Sequence, residues 1–149
     1  MTTWKNASNL VAIALMTWGC GMAENAVFQA KPLDGIKEVS ATEESKKLDA
    51  EVAAFLRDKY AIGSARYYRV PGEFPWIAVS KSVQNQMAEK SIQRTMFEWY
   101  EPGLDFVEVY PQGKVGAAFA VAMPKGTKSN AEKLVGFYVL SAPGGAAKK

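Results

Sequence analysis

Histidine is absent from this chain of 149 residues, and cysteine occurs once. Imidazole is the side chain whose ordinary pKa lies nearest neutrality and is the commonest metal ligand. Its absence excludes the usual serine or cysteine triads and the zinc-hydrolase motifs. A single thiol can close no internal disulfide and cannot assemble a thiolate metal site. Charge of one sign is also scarce, since 18 lysines and arginines face 15 aspartates and glutamates. That balance is too mild to predict a polyanionic partner. Phosphate-binding glycine loops, calcium loops and internal repeats are all missing, so no cofactor is implied. What remains is a chain of single-domain length, able to bury a core without staples.

The amino terminus is laid out as an export signal. Lys5 precedes the apolar run Leu10 to Met16, which gives way to small residues from Gly19 to Ala23. The run is shorter than the roughly 20 apolar residues that a membrane span requires. Gly19 before Cys20 resembles a bacterial lipoprotein signal, in which the cysteine is lipidated and becomes the new first residue. Thr17 and Trp18 depart from that pattern, which usually has leucine and a small residue there. By the same resemblance, Gly21 after the cysteine favours the outer membrane. Ordinary cleavage after Ala23 is the competing reading, with Gly21 and Ala23 as the small pair. Either way the mature protein has no free thiol, which suits an oxidising compartment such as the periplasm.

Residues 1–23 are thus expected to be a signal, 24–39 a tether, 40–142 the folded domain and 143–149 a disordered tail. The tether carries Pro32 and the turn pair Asp34-Gly35, although Val27, Phe28 and Ile36 could equally lie along the body. Ser40 with Glu43 reads as a helix start, followed by the apolar stripe Leu48, Val52, Phe55, Leu56 and Tyr60 and a stop at Gly63. Ala65–Val70 and Trp76–Ser80 read as a hairpin turning at Pro71-Gly72. Ser82 then caps a second expected helix through about Phe97, with Val83, Met87, Ala88, Ile92 and Met96 apolar. Strands follow over Phe106–Tyr110, Val115–Met123 and Leu134–Ser141.

Within the second of these three, Val115, Ala117, Phe119, Val121 and Met123 alternate with Gly116, Ala118, Ala120 and Ala122, and no charge lies on either side. Such a strand is central and covered on both faces, or has a small-residue face that a helix approaches closely. The fold class expected is α+β, in the order α-β-β-α-β-β-β, with a single antiparallel sheet and both helices on one face.

Two stretches have residue types that could carry chemistry. In "FEWYEPGLDFVEVY", Glu98, Glu101, Asp105 and Glu108 alternate with aromatic rings. Paired carboxylates among rings are what glycan binding or glycoside hydrolysis uses, with Glu98, Glu101 and Asp105 as the site. A helix end, a turn and an edge strand would yield the same string. In "RDKYAIGSARYYR", Arg57, Lys59, Arg66 and Arg69 alternate with Tyr60, Tyr67 and Tyr68. Single-strand nucleic-acid binding combines such residues, but export argues against that partner. Elimination points to a non-enzymatic protein-binding module of the bacterial cell envelope, anchored to the membrane through lipid on Cys20. It would serve as an accessory factor of a secretion, conjugation or assembly machine, or as an inhibitor or immunity protein. Trp76, Trp99, Tyr100, Arg66 and Arg69 are the expected contact residues for another envelope protein, because such side chains dominate interface energetics. A periplasmic glycan-binding or carboxylate-dependent hydrolase domain is the alternative.

Overall fold

A computed structural model describes residues 27–71, 76–99, 103–113, 116–125 and 132–143, with the backbone alone for 96–99. The expected signal 1–23, and the expected tail from residue 144 on, lie outside the described residues. Eight elements follow one another: β1 (Lys37–Val39), α1 (Glu43–Leu56), β2 (Ala61–Val70), α2 (Trp76–Glu89), β3 (Met96–Trp99), β4 (Leu104–Pro111), β5 (Ala118–Pro124) and β6 (Lys133–Ser141). The six strands form one sheet in the order β1-β2-β6-β5-β4-β3. All its pairings are antiparallel. The α+β class and the single antiparallel sheet with two helices are as expected.

The helices lie on opposite faces of the sheet, where the sequence pointed to one face. Leu48, Val52 and Leu56 of α1 pack on Val107, Val109, Ala118, Ala120, Ala122, Tyr138 and Leu140. Val79, Val83 and Met87 of α2 pack on Phe106, Tyr110, Phe119, Val121, Met123 and Phe137. The reason lies in β5, whose residues Ala118 to Met123 are all fully buried. A strand with no polar side needs cover on both. Its alanines face α1 and its bulky residues face α2. Gly136 of β6 completes the shallow face, since a Cβ there would stand 2.6 Å from the Tyr138 hydroxyl.

Trp76–Ser80, expected as a strand, is the first part of α2. Trp76, Val79, Ser80, Val83 and Met87 stand at i, i+3, i+4, i+7 and i+11, so the helical stripe runs through Ser82 instead of starting there. At its other end the helix stops at Glu89, and Met96–Trp99 is the edge strand β3 paired with β4. For α1 the cap is Thr42, not Ser40. Thr42 Oγ1 accepts from the Ser45 amide at 3.3 Å, and Ser45 Oγ accepts from the Thr42 amide at 2.8 Å. The helix ends with Arg57 at a φ of 55°, well before Gly63, which lies within β2.

From residue 27 the expected tether 24–39 is part of the body. Val27, Phe28, Leu33 and Ile36 pack on the α2-side core, Ala30 is buried, and Lys37–Val39 is β1. Two glutamine side chains hold this strap. The Phe28 amide donates to Gln112 Oε1 at 2.6 Å while Gln112 Nε2 donates to the Phe28 carbonyl at 2.8 Å. Gln86 makes the same double bond with Lys31, at 2.8 and 2.9 Å.

Candidate functional site

Strand β4 delivers one acid to the interior. Phe106, Glu108 and Tyr110 alternate onto the α2 side, and Glu108 is fully buried. Its carboxylate is met from three directions. Ser80 Oγ of α2 donates to Oε2 at 2.5 Å, and Arg94, in the loop after α2, donates to the same oxygen at 2.9 Å. Tyr110, two residues along the strand, donates its hydroxyl to Oε1 at 2.8 Å. Gln84 donates to Ser80 at 2.9 Å and extends the chain toward the surface. Burial, and then the charge of Glu108, push the Tyr110 hydroxyl well above its ordinary range, against the opposing effect of Arg94. The charge is therefore neutralised and hydrogen-bonded in place, as a buried carboxylate requires. The cluster joins helix, loop and strand.

A second carboxylate does the same on the other face. Asp49 of α1 accepts from Tyr67 at 2.7 and 2.9 Å and from Tyr138 at 2.9 Å. Burial first, and Asp49 second, push the Tyr67 hydroxyl up to about 12 and raise that of Tyr138 further. Each helix is thus tied to the sheet through a carboxylate, by Ser80 of α2 to Glu108 on the strand in one case and by Asp49 of α1 to the hydroxyls of Tyr67 and Tyr138 in the other. No described buried side-chain polar atom lacks a partner.

The residues singled out in the sequence are scattered. Trp76, an expected contact residue, is half-buried with its ring 5.4 Å from that of Phe106. Arg69 is bound to Glu44 at 2.7 Å. Arg66 stands on the exposed edge of the sheet, 3.8 Å from Glu38, with both side chains more than half exposed. Glu98 and Trp99 occupy register positions opposite Val107 and Phe106 on β3, and their side chains are outside the described residues. Tyr100, Glu101 and Cys20 also lie outside the described residues. Asp105 is half-buried at the irregularity where β4 shifts register against β5.

Tyr67 and Tyr68 point to opposite faces of the sheet and are both buried, so they form no stacking platform beside the arginines. Sequence reasoning missed the Glu108 and Asp49 clusters. For Glu108 a signal existed: an acid at the centre of "DFVEVY" shares its parity with Phe106 and Tyr110.

Two hollows lie away from Asp105. A tight apolar one runs between the strap and α2, lined by Leu33, Ile36, Tyr68, Val83 and Phe137 among others. An open one of about 420 Å³ lies at the start of β2, between Ala53, Arg57, Asp58, Tyr60, Ala61 and Ile62. Among the described residues no cluster of acids could hold a metal ion, and no helix is long and apolar enough to cross a membrane. No family model matches the chain, and neither the curated proteins nor the solved structures contain a match to it.

Proposed function

We propose that this chain is a small bacterial cell-envelope protein, anchored to the outer membrane through lipid on Cys20, that works as a non-enzymatic protein-binding module. The observation that carries the reading is how the fold uses its acids. Glu108 and Asp49, each beside tyrosine hydroxyls, are held in hydrogen bonds that fasten α2 and α1 to the sheet, Glu108 also holding the loop at Arg94. The sheet has a helix on each face, so what the fold offers to other molecules is its margins and surface. Surface complementarity is the function such a body can supply.

The test is a crosslinked pull-down from envelopes with the anchor intact, beside a Cys20→Ser variant. Detergent partitioning that resists salt, an acyl mass on Cys20 and specific capture of another envelope protein are the expected results. A soluble product beginning at Glu24 would remove the anchor from the proposal. Recovery of nothing but the protein itself would remove the binding role.

A further inference from the structure

The sheet is open along half of one edge. β2 spans Ala61–Val70 and is paired along its whole length with β6 on one side. On the other side β1 covers only Tyr67, Tyr68 and Arg69. Among the described residues, Ala61–Arg66 make no backbone hydrogen bond on that outer side. β1 ends at Val39, after which the chain leads to the Thr42 cap of α1, and among the described residues no strand continues its lane beside β2. An unpaired edge presents amides and carbonyls ready to pair with another strand.

β1 also shows which side chains this lane accepts. Val39, opposite Tyr67, joins the apolar margin under α1, whose other half-buried members are Phe55, Tyr60, Ile62 and Ala65. Glu38, opposite Tyr68, turns to the other face and meets Arg66. That bridge is long at 3.8 Å and well exposed, so Arg66 has donors to spare for a second acid. The position after Val39, opposite Arg66, belongs to Ser40, so the first places a guest can take are opposite Ala65 and Ser64. A residue opposite Ser64 shares the face of Arg66 and reaches it diagonally, as Glu38 does from opposite Tyr68, and beyond the register irregularity between Ile62 and Ser64 the lane leads toward the hollow at Tyr60 and Ile62. That irregularity keeps the regular pairing short, which sets a short guest.

From this geometry we infer that the lane beside β2 binds an extended segment of a partner protein, added antiparallel to β2 in line with β1. The segment carries an acidic side chain opposite Ser64, on the face of Arg66, and apolar ones toward Ala65, Phe55 and the hollow. The inference rests on the protein-binding reading above and gives it a surface and a partner chemistry. Backbone pairing supplies the affinity, and the alternation of acid and apolar side chains supplies the specificity.

The probe is a blocked peptide of about six residues in which glutamate and valine alternate, titrated into the isotope-labelled protein purified from the cells that make it. Shifts and slowed amide exchange confined to Ser64–Arg66 and the hollow are expected. Arg66→Glu should weaken this peptide about fivefold or more, and a lysine–valine peptide should recover the loss. Perturbation elsewhere, or equal binding of a peptide of the same composition with its acids and valines in two blocks, overturns the inference. Concentration-dependent dimers that protect the same amides would assign the lane to a second copy of this chain and overturn it too.

A photocrosslinker at Ser64, compared with one at the exposed Ile77 on α2, separates the two proposals in cells. Crosslinks to another protein from Ile77 alone keep the binding module and reject the lane. No crosslink from either, even with the peptide bound at Ser64–Arg66, rejects the binding module and with it the partner segment, and leaves only a sheet edge that can pair.

Discussion

Replacing Glu108 by alanine removes the one acceptor that three donors share. Ser80 and Tyr110 are at most 1% exposed, so their hydroxyl protons would be left without water or acceptor, while Ser80 Oγ still accepts from Gln84. An orphaned buried hydroxyl costs about 1–3 kcal/mol. Arg94 keeps about a fifth of its side chain in solvent and recovers part of its hydration, which places its loss at the lower end of the roughly 3–5 kcal/mol seen when a buried pair is broken. Taken together, and allowing for overlap between these contributions, Glu108→Ala should destabilise the fold by about 4 kcal/mol. Out of a typical total of about 5–15 kcal/mol this lowers Tm by roughly 12–16 °C.

Glu108→Gln preserves the volume and one carbonyl oxygen, which can sit at the Oε2 position while the amide faces the Tyr110 hydroxyl. It should lose only about 1–2 kcal/mol. Urea denaturation followed by circular dichroism measures both variants. In the Glu108→Ala background, Arg94→Ala should cost much less than in the parent, because the two side chains form one unit. A Glu108→Ala protein within about 1 kcal/mol of the parent would refute the claim that this cluster fastens α2 to the sheet.

Leu48→Ala, in the α1 stripe and fully buried, should cost about 2–5 kcal/mol. Phe55→Ala, at the half-buried margin of the same helix, should cost only about 1–2 kcal/mol; the reverse order in denaturant melts would displace the margin from where it is drawn. Above neutrality, stability should hold to about pH 10, where tyrosines of the unfolded chain ionise. It should then fall as pH rises toward and past the folded value of about 12 for Tyr67, because the folded state keeps protons the unfolded state has lost. Tyrosinate absorbance titrated beside circular dichroism checks this, and ordinary titration of all six tyrosines near pH 10 with the fold intact would contradict it.

Periodicity made much of the fold legible. The stripe Leu48, Val52 and Leu56 is the inner face of α1, and the two-faced alternation of β5 is as the residues dictate. The misreadings came from short apolar runs. "PWIAVS" satisfies a strand pattern over five residues, and only the recurrence of Val79, Val83 and Met87 across the supposed cap at Ser82 makes it helical. The face assignment failed although the uncharged β5 already required two covers. The buried clusters were less visible because they join residues far apart in sequence: Asp49 meets Tyr138 across 89 positions. No local pattern records such a meeting. Arg66 was picked out by type, but its place at an open sheet edge depends on how short β1 is, which a three-residue strand does not announce.

The last of the described strands lies in the middle of the sheet. β6 is inserted between β2 and β5, so without Lys133–Ser141 the strands fall into two fragments, β1 with β2 and β3 to β5, that share no ladder. Closing the sheet therefore waits for β6, and its pairing with β2 is a contact of long sequence range, the kind that is slow to form.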